Sequence, residues 1–122
     1  MSRLKRDDRG AVMVEFAIVV PVLLLILLGI IEFGRAYNTQ VSIQAAAREG
    51  ARELALRHSS TVVASATRDG APSVDIDSVA QTPCPATGDG KAKVTVTESF
   101  SFVALPFDPI ELHATGVMRC GL

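Results

Sequence analysis

The stretch RGAVMVEFAIVVPVLLLILLGII, residues 9–31, decides the fold. Its last 21 residues, Ala11 to Ile31, include a single charged side chain, Glu15. A helix of that length covers about 30 Å, the thickness of the hydrocarbon core of a bilayer. A cleaved secretory signal has a shorter apolar region of ~7–15 residues, followed soon by a cleavage site with small residues. Because no break follows before the alanines at 45–47, we expect a retained anchor.

The charges on either side of this stretch differ in sign. Residues 1–10 hold four basic and two acidic side chains, whereas residues 58–122 hold four basic and seven acidic ones. This asymmetry predicts a single-pass protein of the cytoplasmic membrane, with its N-terminus inside and its C-terminal part outside. The net charge of −1 gives no reason to expect nucleic acid as a partner.

The helical pattern continues beyond the apolar run. Residues 33–58, FGRAYNTQVSIQAAAREGARELALRH, contain no proline, and a small or apolar stripe recurs with the helical period. One helix is therefore expected over 11–57, with its transmembrane part at 11–31. The stripe consists of Ile43, Ala47, Ala51 and Leu54, and the predicted ion pairs are Glu32–Arg35, Glu49–Arg52 and Glu53–Arg57.

Three residues of this helix indicate packing or bending. Pro21 removes the amide that would bond the Ala17 carbonyl, which predicts a kink or a local opening. Ala46 and Gly50 form a small-xxx-small pair, a spacing that lets helices approach closely. The alanine is also explained by helix propensity alone. Gly50 is not, because a glycine inside a helix costs about 1 kcal/mol relative to alanine, so we expect it to have a packing role.

Residues 58–122 predict a small extracytoplasmic α+β domain. The segment HSSTVVASATRDGAP, residues 58–72, is typical of a capped amphipathic helix that stops at Gly70. A short strand is predicted at 73–79, and alternating runs at 91–102 and 110–118 predict an antiparallel pair. The expected helix caps are Ser59 or Ser60, its inward side chains are Val62, Val63 and Ala66, and the inward strand residues are Ala92, Val94, Val96, Phe100, Phe102, Ile110, Leu112, Ala114 and Met118, with Glu98 as the exception.

The two cysteines, Cys84 and Cys120, both lie on the predicted outer side. Neither belongs to a CxxC motif or has histidines at metal-binding spacing. In an oxidising compartment we expect one disulfide between them, with two unpaired thiols as the alternative. A core this small needs the disulfide, and the C-terminal part of the long helix lying on the sheet, for its stability.

No catalytic or metal site is expected, and no cofactor. His58 and His113 are predicted to be surface residues without a nucleophile beside them. The turn GDGKA, residues 88–92, lacks the Ser or Thr that follows the lysine of a phosphate-binding loop. Asp75 and Asp77 are not followed by further ligands at the spacing of a calcium loop, so a solvated strand face is expected there.

Glu15 is the residue of the span that needs an explanation. A carboxylate near the bilayer centre costs roughly 2.5–3.5 kcal/mol or more, which favours a partner or a function. Its place about one turn inside the interface permits the simpler interpretation that the side chain reaches the headgroups, helped by the helix dipole. That interpretation leaves the pattern of a glycine, four apolar residues, a glutamate and Phe16 unexplained.

Gly10-Ala11-Val12-Met13-Val14-Glu15-Phe16 resembles the class III signal of type IV pilin-like proteins. Residues 9–52, including Pro21, the IEFGRAY exit and the AAREGAR close, resemble the TadE-like proteins, minor pseudopilins of the tight-adherence (Flp-type) pilus. The ending LHATGVMR is similar to the final strand of that family.

The resemblance implies a leader peptide over residues 1–10 and a cut by prepilin peptidase between Gly10 and Ala11. It implies that Glu15, with Phe16 beside it, pairs with the N-terminal amine of a neighbouring pilin-like subunit and sets the register of assembly. The implied partners are the peptidase, other pilin-like subunits, the inner-membrane assembly platform and the membrane.

The expected function is that of a minor pilin-like subunit without catalytic activity, which assists assembly or initiation of an adhesive surface pilus. The first alternative is an unprocessed single-pass protein whose outer domain binds a ligand or partner. An envelope enzyme is the second alternative, and the absence of a catalytic constellation in the sequence counts against it.

Overall fold

A single helix dominates the structure. The computed structural model describes residues 4–86 and 90–120, with side chains from Asp8 onward. Helix α1 spans Leu4–Ala55, 52 residues, and so extends about 78 Å. It runs without interruption through Pro21 and begins seven residues before the predicted start, inside the proposed leader.

Helix α1 ends at Ala55, two residues earlier than predicted, because the chain turns at Arg57. This residue has a φ of 62°, the left-handed conformation that closes many helices. The Arg57 amide donates to the Leu54 carbonyl and the His58 amide to the Glu53 carbonyl, the two bonds of a Schellman motif. The predicted Glu53–Arg57 pair is therefore wrong, since Glu53 instead contacts His58 Nδ1 at 2.5 Å.

Helix α2, Ser60–Asp69, has Ser59 as its N-cap residue and Gly70 as its C-cap residue, as the sequence predicted. Its buried side chains are Val63 and Thr67. The predicted inward position of Val62 is wrong. Helix α2 turns Val63 and Thr67 towards α1, which leaves Val62 47% exposed.

The three strands form one antiparallel sheet in the order β1-β2-β3. They span Ser78–Thr82, Lys91–Phe100 and Ile110–Arg119. The first strand lies later in the chain than the predicted 73–79. Asp77 lies just before it, where its amide donates to the Thr97 carbonyl and its carboxylate accepts the Ser99 amide at 2.7 Å, so a side chain replaces the backbone ladder.

The core lies between the C-terminal half of α1 and one face of the sheet. The four residues of the predicted helix stripe are all buried, and the sheet contributes the even-numbered residues of β2 and β3. The predicted inward positions at the ends of β3 are wrong, since Ile110 and Met118 are about 40% exposed. The buried sheet residues are Ala92, Val94, Val96, Phe100 and Ala114.

The helix and sheet approach most closely at Gly116. A Cβ atom built on this glycine would overlap the carbonyl of Ala47 on α1. Gln40 and Gln44, about two turns and one turn earlier on the helix, donate to the carbonyls of His113 and Thr115 on β3 at 2.9 and 3.1 Å. Because these carbonyls lie at the free edge of the sheet, the glutamines also satisfy backbone groups that would otherwise be open to another strand.

The disulfide between Cys84 and Cys120 is present, as predicted. It joins the loop after β1 to the end of β3, 36 residues apart in sequence. Of the turn predicted at 88–92, residues 88 and 89 lie outside the described residues, and residues 91 and 92 belong to strand β2.

Candidate functional site: the anchor helix and its exit

The N-terminal part of α1, from residue 8 to residue 31, is exposed along most of its length. In the part of the chain that the structure describes, α1 is the one helix long and apolar enough to cross a membrane, and none of its most apolar window is buried. Large apolar side chains point outward on all sides of it, from Val12, which is 64% exposed, to Ile31, at 57%. This surface is compatible with a single-pass membrane anchor, since a helix that is apolar all round needs an apolar surrounding.

The residues of the proposed signal follow each other on this exposed part of α1. Gly10 and Ala11 are both exposed, and a Cβ atom on the glycine would meet nothing within 4 Å. Glu15 lies about 7.5 Å further along the axis, next to Phe16, which is 68% exposed. Among the described residues, the ion pairs do not include the carboxylate of Glu15.

Ala46 and Gly50 lie in a different place from the span. Both are buried beneath α2 of the same chain. A Cβ atom on Gly50 would overlap Thr67 Oγ1, which donates to the Val63 carbonyl at 2.7 Å, and a Cβ atom on Gly70 would lie 3.0 Å from the Ala46 Cα. The small residues thus let α2 lie directly against α1.

Glu32, the first residue after the apolar run, is the most unusual charged group of the helix. It is only 2% exposed, although the residues on both sides of it are exposed. One carboxylate oxygen accepts the backbone amides of Ala104 and Val103, at 2.8 and 3.0 Å. The other accepts Arg35 Nη1 at 2.8 Å, which confirms the predicted ion pair.

These contacts stabilise the ionised form of Glu32. The Ala104 amide, then the Val103 amide and Arg35, hold the pKa of the carboxyl below its ordinary value, although burial acts in the opposite direction. The two amides could not be predicted from the sequence, since they lie in the connection between β2 and β3, residues 101–109, more than 70 residues further along the chain. The only sequence signal was a glutamate directly after a span.

The β2–β3 connection, residues 101–109, carries aromatic rings on either side of this contact. Arg35 lies over the ring of Phe100, with its guanidinium carbon 5.3 Å from the ring centroid. Phe102 stands edge-to-face with Phe100 at 5.4 Å and with Phe107 at 5.6 Å. The connection is therefore held to the helix by hydrogen bonds at Glu32 and by a row of rings beside it.

Among the described residues, no group of three or more His, Cys, Asp or Glu side chains is placed to hold a metal ion. His58 and His113 are about half exposed.

Asp75 and Asp77 precede β1, and instead of a calcium loop they form an acidic neighbourhood for Glu98. Burial, then the charges of Asp77 and Asp75, raise the pKa of the Glu98 carboxyl above its ordinary value of 4.5.

The fold and site together define a class: a protein in which one helix carries both an apolar segment long enough to cross a membrane and one side of the core of a disulfide-bonded domain. Comparison with known families makes this more specific. The family model described as TadE-like protein matches residues 10–52, which confirms the resemblance. The match and the single apolar helix fit a pilin-like protein of the tight-adherence type. No curated protein and no solved structure matches the chain.

Proposed function

We propose that this protein is a minor pilin-like subunit that assists assembly or initiation of a tight-adherence pilus, a surface fibre used in adhesion. The observation that carries the proposal is the extent of the family match, residues 10–52. It begins at Gly10, the last residue of the proposed leader, includes Glu15, and ends in the part of α1 that packs on the sheet. The likeness therefore includes both the proposed processing site and the helix that would join the assembly.

In the proposed mechanism, prepilin peptidase cuts between Gly10 and Ala11 on the cytoplasmic side, while the outer domain lies on the other side. The cut creates an α-ammonium group four residues before Glu15. In a helix bundle, the glutamate of one subunit pairs with the amine of its neighbour, and each neutralises a charge that the other would otherwise leave unpaired in an apolar surrounding. The pair also fixes the axial register of the two helices. The inner-membrane platform then extracts the registered subunits.

The first test reads the N-terminus of the protein from cells with and without the peptidase. Mass spectrometry should find a chain beginning AVMVEF only where the peptidase is present. An intact Met1 start in both strains would refute processing, and with it the proposed function.

The second test replaces Glu15 with leucine. Cleavage and membrane insertion should continue, while incorporation into the pilus fraction is lost, because the amine of the neighbour has no counter-charge. Val14→Leu, a change at the adjacent exposed position, is the matched control and should leave incorporation intact. Normal piliation with Glu15→Leu would show that this carboxylate does not set the register.

The alternative is an unprocessed single-pass protein whose outer domain binds a ligand. It predicts an uncut leader and tolerance of leucine at position 15, so the same two experiments distinguish it from a pilin-like subunit.

A further inference from the structure

The outer domain has a definite membrane-proximal end. Along α1, Gln40 bonds to His113, Gln44 bonds to Thr115, and Gly116 meets the helix at Ala47. Strand β3 therefore runs in the same direction as α1, and its first residue lies nearest to the span. Because β2 is antiparallel to β3, the 101–109 connection lies at that end.

The Glu32 carboxylate fixes the height of this connection. Glu32 directly follows Ile31, the last residue of the apolar run, and its carboxylate accepts the amides of Val103 and Ala104. If Ala11–Ile31 fills the hydrocarbon core, the backbone at 103–104 lies at the level where the acyl chains meet the headgroups. Two hydrogen bonds to one carboxylate oxygen leave the connection little freedom to move along the helix.

The side chains at that height are apolar and uncovered. Val103 is 78% exposed and Phe107 62% exposed, and residues 101–109, SFVALPFDP, contain a single charge, Asp108. On α1, Phe33 and Tyr37, one and five residues after Glu32, are 74% and 65% exposed, and aromatic residues are typical of this level of a bilayer. In water alone, this much exposed apolar surface near one level of the molecule would be unfavourable.

We infer that the 101–109 connection is a second membrane contact, clamped by Glu32 so that Val103 and Phe107 enter the outer leaflet of the bilayer beside the anchor helix. Lipid is the occupant because the clamp ties these side chains to the level of the span itself. Elements that lie at an interface in this way bury their apolar side chains about 5–10 Å into the boundary between headgroups and acyl chains. The inference rests on the anchoring part of the proposed function.

The test uses the absence of tryptophan from the chain. Phe107→Trp is introduced into the full chain, which is reconstituted in vesicles of phosphatidylcholine and phosphatidylglycerol with and without bromine on the upper acyl chains. We expect blue-shifted emission that brominated lipid quenches. Val62→Trp on α2, away from the membrane-proximal end of the domain, should emit as a water-exposed indole and stay unquenched. Ile26→Trp inside the span should be quenched.

Failure of the inference and failure of the anchor give different results. Quenching of Ile26→Trp without quenching of Phe107→Trp would overturn the membrane contact and leave the anchor in place. No quenching at either position would overturn both. Blue-shifted Phe107→Trp emission that bromine does not change, but that shifts to red as protein is diluted in lipid, would show a second copy in place of lipid.

The clamp is tested in the same vesicles by adding Glu32→Ala to Phe107→Trp. This change removes the acceptor of both amides, so quenching should fall towards the level of Val62→Trp. Arg35→Lys keeps the positive charge beside Glu32, so the variant that combines it with Phe107→Trp should remain quenched. Full quenching with Glu32→Ala would overturn the assignment of Glu32 as the clamp.

Discussion

The contact between α1 and α2 predicts an unusual pair of effects at Gly50. Replacing it with alanine should favour helix α1 by about 1 kcal/mol, because glycine is a poor helix former. The new methyl group, however, would overlap Thr67 Oγ1 and lie 3.2 Å from Val94 Cγ1. Overpacking of a close-packed core costs about 1–3 kcal/mol. Because the overlap with the buried Thr67 hydroxyl is severe, we expect a cost near the upper end of this range, so Gly50→Ala should lower the free energy of unfolding by about 2 kcal/mol.

Thr67→Ala supplies the complementary half of a double-mutant cycle. Alone it removes the hydrogen bond to the Val63 carbonyl, at a cost of about 1 kcal/mol. Combined with Gly50→Ala it also removes the atom that the new methyl group would overlap. The double variant should therefore be at least as stable as Thr67→Ala alone, with a favourable coupling of about 2 kcal/mol.

Hydrogen exchange of α2 amides, read by mass spectrometry on the full chain in detergent micelles, measures this free energy locally. Gly34→Ala is the matched control, since a Cβ atom there would meet nothing within 4 Å, and α2 should not respond to it. Wild-type protection of α2 with Gly50→Ala, or additive costs in the double variant, would refute the described contact.

Three further predictions concern stability, measured by denaturation of the full chain in micelles. Glu98→Gln should stabilise the domain at pH 7, because a raised carboxyl pKa means that the folded state penalises the charge; the gain should vanish below about pH 4.5, where the wild-type side chain is protonated in both states. A gain that persists at pH 3 would contradict the cause given. Arg57→Gly should stabilise the end of α1 by about 1 kcal/mol, since glycine adopts a positive φ without steric cost; no gain would mean that the turn is not left-handed in solution. Replacing Cys84 and Cys120 together with alanine should lower the free energy of unfolding by about 4 kcal/mol, from a loop of 36 residues, and an unchanged midpoint would show that the bond does not form.

The features that the sequence predicted correctly depend on local periodicity. The stripe from Ile43 to Leu54 and the alternation of β2 record which face each element buries, and a period is visible without any knowledge of the partner. The disulfide was predictable because two cysteines allow one pairing.

The features that were missed depend on contacts distant in sequence. Thr67 is buried and Val62, which was predicted to be inward, is not, because the position of α2 is set by a glycine on another helix. The start of β1 moved because the Asp77 side chain takes over a backbone bond. The partners of Glu32 are backbone amides, which have no residue identity and leave no pattern in the sequence. Their position depends on the packing of the sheet against the helix, which brings the 103–104 backbone next to Glu32.

The continuity of α1 has a consequence for rotation. Helix α1 continues directly from the apolar segment into the core of the C-terminal domain. If residues 11–31 cross a membrane, the number of residues along this one helix therefore sets the azimuth of the domain about the membrane normal. Inserting one residue between Glu32 and Gln40 would rotate everything above it by about 100° and raise it by about 1.5 Å relative to the span. The number of residues in this short segment therefore determines the direction in which the domain faces.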